Sequence, residues 1–216
     1  MKKEIIKRII TSIILLFALI FMFLNSLFLL FIILIASILS FIEFSKMISI
    51  IKKKDRYLQL SYNIIFFIYI FMIATIFVIA SMNINIKIFI FIVLLTCVSS
   101  DIGGLIFGRL FKGPKLTKLS PNKTYAGSFG SIVFSILTSM SIYFYFAGKI
   151  FFYSLLLGLI VSISTQLGDL FFSYLKRQSK LKDTGNLLPG HGGVLDRIDG
   201  ILLAVPVGLL FSLLIN

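Results

Sequence analysis

The amino-acid sequence predicts an all-α, polytopic integral membrane helical bundle of about seven transmembrane helices, N-terminus inside and C-terminus outside. Three observations carry this. Apolar residues make up 59% of the 216 residues and charged residues only 13%, about half the charged share of a soluble domain. The apolar residues gather in runs long enough to cross a bilayer, and the basic residues between the runs fall almost entirely on one side. With a mean hydropathy of +1.08, the solvent for most of this surface is lipid. A net charge of +13 would suggest nucleic acid in a soluble protein. Here the charge lies between spans, where it sets orientation, and no nucleic-acid partner is expected.

Residues 9–44 are nearly unbroken apolar sequence. As one helix they would measure about 54 Å, against a hydrocarbon core of about 30 Å. Basic residues flank both ends, so the run is expected to fold as a hairpin that turns at Asn25-Ser26. The basic N-terminus before it, with no small-residue cleavage site after it, reads as a retained signal anchor. Further spans are expected at about 60–81, 86–107, 128–147, 150–170 and 198–214. Alternating all seven places 19 of the 21 basic residues inside and leaves only Lys87 and Lys149 outside. The single cysteine, Cys97, lies in an apolar run, which excludes an intramolecular disulfide.

Residues 1–100 read as a transmembrane scaffold. Residues 101–216 read as a catalytic membrane domain with cytoplasmic loops at 108–127 and 171–197. Five of the eight acidic residues and three of the four prolines lie between 101 and 200. Asp101 stands in an apolar run, where a carboxylate is costly unless paired or hydrated. Two readings are open for it: a helix-packing device beside the small-residue face of Gly104 and Gly108, or one wall of a polar cavity.

The segment Ser120-Pro121-Asn122-Lys123-Thr124 combines a cation with hydroxyl donors, which suits phosphate oxygens; an ordinary basic inner loop has the same look. A denser cluster follows. Asp169, Asp183, Asp196 and Asp199 are half of the acidic residues in a seventh of the chain, interleaved with Lys176, Arg177, Lys182 and Arg197. Asp196 and Asp199 are three apart and share a helix face. Carboxylates among cations at a membrane surface fit a Mg²⁺–polyphosphate site, because Mg²⁺ takes one or two carboxylates and completes its shell with water and phosphate oxygens. His191 is the only histidine, so a zinc site is not expected. A hydrogen bond to phosphate or carboxylate, or a loop-shaping role among Gly190, Gly192 and Gly193, suits it better.

From Ser173 to Asp199 the chain resembles the phosphatidate cytidylyltransferase family, the CDP-diacylglycerol synthases. The shared pattern is Ser173-x-apolar-Lys176-Arg177, then Lys182-Asp183-x-Gly185, then Pro189-x-His191-Gly192-Gly193-apolar-x-Asp196-Arg197-apolar-Asp199. Ser120–Thr124 and the stretch from Asp101 to Arg109 resemble family features too, so the likeness covers at least 101–200. Two departures stand out: Tyr125-Ala126-Gly127 replaces the family's Trp-Glu-Gly, and the N-terminal half is short by about one span. The resemblance implies transfer of the cytidylyl group of CTP to phosphatidate, giving CDP-diacylglycerol and pyrophosphate, with Mg²⁺ and room for a second, monovalent cation. It implies Asp169 and Asp196 as metal ligands, Asp199 as a supporting carboxylate, and Asp183 and His191 as organisers. Lys176, Arg177, Lys182 and Arg197 become phosphate contacts, and Ser120, Asn122, Lys123 and Thr124 a second substrate-binding loop. The expected partners are CTP, phosphatidate and membrane lipid, with a homodimer among the assemblies open to it. The expected location is the cell inner membrane with the site facing the cytoplasm. The competing expectations are a CTP-dependent kinase of polyprenols or other lipid alcohols and, from another class, a non-enzymatic transporter.

Overall fold

The computed structural model describes residues 2–117, 120, 123–149, 152–185, 187 and 192–215. These form α1 (Lys2–Leu24), α2 (Ser26–Ile51), α3 (Arg56–Met82), α4 (Ile84–Phe111), α5 (Tyr125–Ala147), α6 (Phe152–Gln178) and α7 (Leu195–Ile215). Among the described residues the only β pairing is one isolated bridge, Lys115 to Thr124. Six helices, α2 to α7, are long and apolar enough to cross a membrane, and α1 contributes the apolar stretch Ile13–Leu24. The helices correspond one to one with the seven expected spans, and the chain is an all-α polytopic membrane protein.

The breaks fall where short polar side chains replace lost backbone partners. Asn25, in extended backbone, accepts from the Phe28 N–H at 3.1 Å and starts α2, so the long apolar run does turn at the expected place. Asp55 does the same for α3, accepting from the Leu58 N–H at 3.0 Å. Asn83 separates α3 from α4 and accepts from the N–H groups of Asn85 and Ile86. At the far end of α5, Gly148 takes the left-handed conformation (φ 67°) that closes a helix.

Several helices overrun the apolar spans. α2 continues to Ile51, α4 to Phe111 and α6 to Gln178. The bilayer fixes the length of apolar sequence, not the length of helix. On α6 the last turn carries Lys176 and Arg177, which favour the negative end of the helix dipole. The expected loop 171–197 is therefore helical up to Gln178 and again from Leu195.

Two compact units make up the chain: Met1–Lys87 with Leu175–Ile198, and Ile88–Tyr174 with Asp199–Asn216. In the first, α1 packs on α2 and α2 on α3. Phe44, Met47 and Ile48 of α2 are buried, as are Phe66, Ile70 and Phe77 of α3, and the rings of Phe44 and Phe66 stack at 3.8 Å. Lys87 is 5% exposed. Its ammonium donates to Ser26 Oγ at 3.1 Å and lies over the Phe23 ring, so a hydroxyl and a π face hold the charge.

In the second unit α4 and α5 approach through glycine. A Cβ at Gly103 would strike Gly130 O and Phe134, one at Gly104 would strike Ser131, and one at Gly127 would strike Gly104 O. Lipid offers no hydrophobic drive between helices, so close backbone contact supplies the attraction. This is the small-residue face expected beside Asp101, which is itself exposed. Polar side chains pair between helices as well: Ser99 of α4 with Thr138 of α5 at 2.6 Å, the buried Ser100 of α4 with Ser162 of α6 at 2.9 Å, and Ser128 of α5 with Gln166 of α6 at 2.5 Å.

Candidate active site

Among the described residues each unit shows a lysine–aspartate ion pair, and both pairs join residues singled out in the sequence. The pair in the second unit is built on the α4–α5 connection. Lys112 (φ 49°) and Gly113 (φ 89°) turn the chain out of α4 in left-handed backbone. The segment then closes on itself: the Leu116 N–H donates to Lys123 O at 2.8 Å, the Lys123 N–H to Ser120 O at 3.1 Å, and the Tyr125 N–H to Pro114 O at 3.2 Å. Thr124 ends it as the N-cap of α5, accepting from the Gly127 N–H at 3.0 Å. That cap uses an oxygen lone pair and leaves the hydroxyl proton as a donor. From this turn Lys123 Nζ reaches Asp169 Oδ2 on α6 at 2.5 Å, with side chains 24% and 33% exposed. Ser173, one turn along α6, donates to Asp169 Oδ1 at 3.2 Å.

The pair in the first unit is more enclosed. Lys176 Nζ meets Asp196 Oδ1 at 2.7 Å, with side chains 12% and 5% exposed. The other oxygen, Asp196 Oδ2, accepts from the Thr184 N–H at 2.8 Å, the Gly193 N–H at 3.0 Å and the Thr184 hydroxyl at 3.0 Å. Both oxygens of one carboxylate thus have partners, and Thr184 and Gly193 of the α6–α7 connection turn their N–H groups onto it. Gly192 stands in left-handed backbone (φ 86°), where a Cβ would also press on Asp196 Oδ2. The glycine there is required twice over, by conformation and by space.

Lys182 and Asp183 are exposed on the turn beside Thr184, and Arg177 and Arg197 are exposed at the facing ends of α6 and α7 in sequence. Ser120 is half-buried and accepts the Lys123 N–H on its carbonyl. Asp199 is 9% exposed, and its Oδ1 accepts from the Gly200 N–H at 2.8 Å; its own carbonyl lies where a Cβ on Gly168 would fall. Asn122 and His191 lie outside the described residues.

Two residues that the sequence reading did not single out hold the backbone around the enclosed pair. Thr184 supplies two of the donors to Asp196. Glu43, on α2, is 4% exposed and accepts from the Thr184 hydroxyl at 2.7 Å, the Val194 N–H at 3.1 Å and the Leu195 N–H at 2.9 Å. The signal was present: Glu43 is the one acidic residue in a helix that is otherwise almost wholly apolar, and such a carboxylate needs partners.

The donor set suits Mg²⁺. Among the described residues no three His, Cys, Asp or Glu side chains gather as a closed metal cage. Each pair by itself offers carboxylate and hydroxyl oxygens, hard ligands of the kind Mg²⁺ takes beside phosphate and water.

Fold and site together define a polytopic helical membrane protein with carboxylates and lysines paired at its helix ends and connections. The chain belongs to the cytidylyltransferase family, whose model matches residues 51–215. It is similar to curated proteins named phosphatidate cytidylyltransferase. That of Rickettsia felis is 40% identical over 135 residues, 57% of this chain and 59% of that protein. That of Rickettsia typhi is 42% identical over 128 residues, 54% of this chain and 55% of that protein. That of Mycobacterium tuberculosis is 42% identical over 110 residues, 50% of this chain and 34% of that protein. The chain spans at most about three-fifths of the length of these relatives.

Proposed function

We propose that this chain transfers the cytidylyl group of CTP to phosphatidate, forming CDP-diacylglycerol and releasing pyrophosphate. The observation that carries the reading is the enclosed Lys176–Asp196 pair: it sits in the part of the chain that matches the family model, with the Thr184 and Gly193 N–H groups turned onto the same carboxylate. The relatives named phosphatidate cytidylyltransferase support the choice of substrates.

In this reaction a phosphate oxygen of phosphatidate attacks the α-phosphorus of CTP. A new P–O bond forms as the bond to the β-phosphate oxygen breaks, and pyrophosphate leaves with the electron pair. No covalent enzyme intermediate is needed. The protein must bring two polyanions together and hold the charge that develops on the leaving group. We assign Asp169 and Asp196 to Mg²⁺, which when bound would screen the polyphosphate and draw charge toward the departing oxygen. Lys123 and Lys176, relieved of their carboxylates, would donate to phosphate oxygens. Ser120, Asn122 and Thr124 extend the donor set beside Lys123. Arg177, Lys182 and Arg197 add exposed positive charge, while Asp183, Asp199 and His191 support the segment. The weight of basic residues between spans favours N-inside, C-outside topology in the cell inner membrane, where CTP arrives from the cytoplasm and phosphatidate from the leaflet.

The test uses purified protein in mixed micelles with phosphatidate, Mg²⁺ and CTP labelled at either the α- or the γ-phosphate. Label from the α-position should enter lipid as pyrophosphate is released, and chelation with EDTA should stop it until Mg²⁺ is restored. Label entering a lipid alcohol from the γ-position would identify a kinase instead. No labelled lipid from folded protein would rule out the transferase reading.

A further inference from the structure

The strongest unexplained feature is a buried acid far in sequence from every residue given a role in the reaction. Glu43 lies on α2 and is 4% exposed. Glu43 belongs to neither the Lys123–Asp169 nor the Lys176–Asp196 pair. Its oxygens go instead to one segment: Oε2 accepts from the Thr184 hydroxyl at 2.7 Å and the Leu195 N–H at 2.9 Å, and Oε1 from the Val194 N–H at 3.1 Å.

The pattern of donors is informative. Gly193, Val194 and Leu195 are consecutive at the start of α7, where backbone N–H groups have no partner within the helix. The Gly193 N–H goes to Asp196, and the next two go to Glu43. Thr184 is shared in the same way, its Oγ1 lying 2.7 Å from Glu43 Oε2 and 3.0 Å from Asp196 Oδ2. A hydroxyl has one proton, so Thr184 can donate to only one of the two carboxylates at a time. The two acids therefore grip one segment jointly, and a change at either is felt by the other through Thr184.

Glycine geometry gives an independent sign that the fit to Glu43 is specific. A Cβ on Gly185 or on Gly193 would collide with the Glu43 carboxylate, and one on Gly193 would collide with Thr184 Oγ1 as well. The segment comes against this acid by bare backbone at two places. The same Gly193 then donates to Asp196.

We propose that Glu43 is a positioning residue of the transfer reaction: from α2 it clamps Thr184, Val194 and Leu195 and so fixes Thr184 and Asp196 in the orientation that presents Asp196 and Lys176 to substrate. This rests on the function proposed above. Glu43 touches no reacting atom in this account, and its effect passes through Thr184 and the first turn of α7.

The experiment compares wild type with Glu43→Gln and Thr184→Val, which loosen the same contact from its two sides, and with the double variant. Each is purified in micelles and quantified as folded protein. Two readouts are taken: kcat and KM for CTP, and the rate of limited tryptic cleavage after Lys180 and Lys182. Misplacing reacting groups by about 1 Å costs on the order of 10²-fold in rate. The clamp predicts a kcat loss of that order per folded Glu43→Gln enzyme, with KM for CTP changed only a few-fold and cleavage faster by about tenfold. Because both substitutions break one contact, the double variant should fall little below the worse single one. A role confined to folding would lower the yield of folded protein while leaving kcat per folded enzyme and cleavage at wild-type levels, and that result overturns the proposal. If Glu43→Gln does not fold, Thr184→Val decides by the same two readouts. A wild-type protein without transferase activity would instead sink the function on which the proposal rests, an outcome distinct from an active wild type with unaffected variants.

Discussion

The two lysine–aspartate pairs are chemically alike and structurally opposite. Lys123–Asp169 is open, its side chains 24% and 33% exposed, and among the described residues the carboxylate has one other donor, Ser173. Lys176–Asp196 is enclosed, at 12% and 5%, with three further donor contacts on Asp196 and a second buried acid, Glu43, behind the same segment. Exposed ion pairs contribute little to stability because water and salt screen them, so the open pair can separate at small cost when substrate arrives. Breaking a buried pair leaves an uncompensated charge. The enclosed pair therefore organises its segment as well as offering groups to a ligand. Similar residues in the two places should respond differently to the same substitution.

That contrast sets the predictions. Asp196→Asn should be the most damaging to stability, by about 3–5 kcal/mol, because the Lys176 ammonium loses its counter-charge while still enclosed; thermal unfolding in micelles would measure it. Gly193→Ala should follow at about 1–3 kcal/mol, the usual cost of overpacking, since its Cβ would collide with Thr184 and Glu43. Thr184→Val should cost about 1–3 kcal/mol by leaving a carboxylate short of a donor, toward the lower end because the backbone N–H at the same residue still reaches Asp196. Asp169→Asn should have the smallest effect on unfolding, under about 1 kcal/mol. If Asp169→Asn proved as destabilising as Asp196→Asn, the distinction between an exchangeable and a structural pair would fail.

The architecture was largely legible in the sequence because bilayer thickness constrains apolar length. The hairpin turn at Asn25 and the seven helices, six of them long and apolar enough to span, follow from that and from capping chemistry. Helix ends were less legible: α6 runs to Gln178, eight residues past the expected end of its span, since water does not stop a helix that Lys176 and Arg177 favour at its C-terminus. Asp169, Lys176 and Asp196 could be named as candidates from their density and motif. Which lysine would pair with which aspartate could not, because spacing along a chain does not reveal contacts between segments brought together by folding. Glu43 shows the same limit. The argument from buried charge that drew attention to Asp101 applied equally to α2, but the partners of Glu43 lie about 140 residues away, and only the folded chain brings them together.

The central claim is that these paired groups serve cytidylyl transfer, with the enclosed pair essential to it. The most direct test follows lipid-borne label from α-labelled CTP in wild type and in Asp196→Asn, with rates normalised to folded protein and phosphatidate and Mg²⁺ saturating. The account predicts labelled CDP-diacylglycerol from wild type and a loss of about 10²–10³-fold in the variant, the scale expected when a group that stabilises transition-state charge is removed. Wild-type rates from folded Asp196→Asn would contradict it.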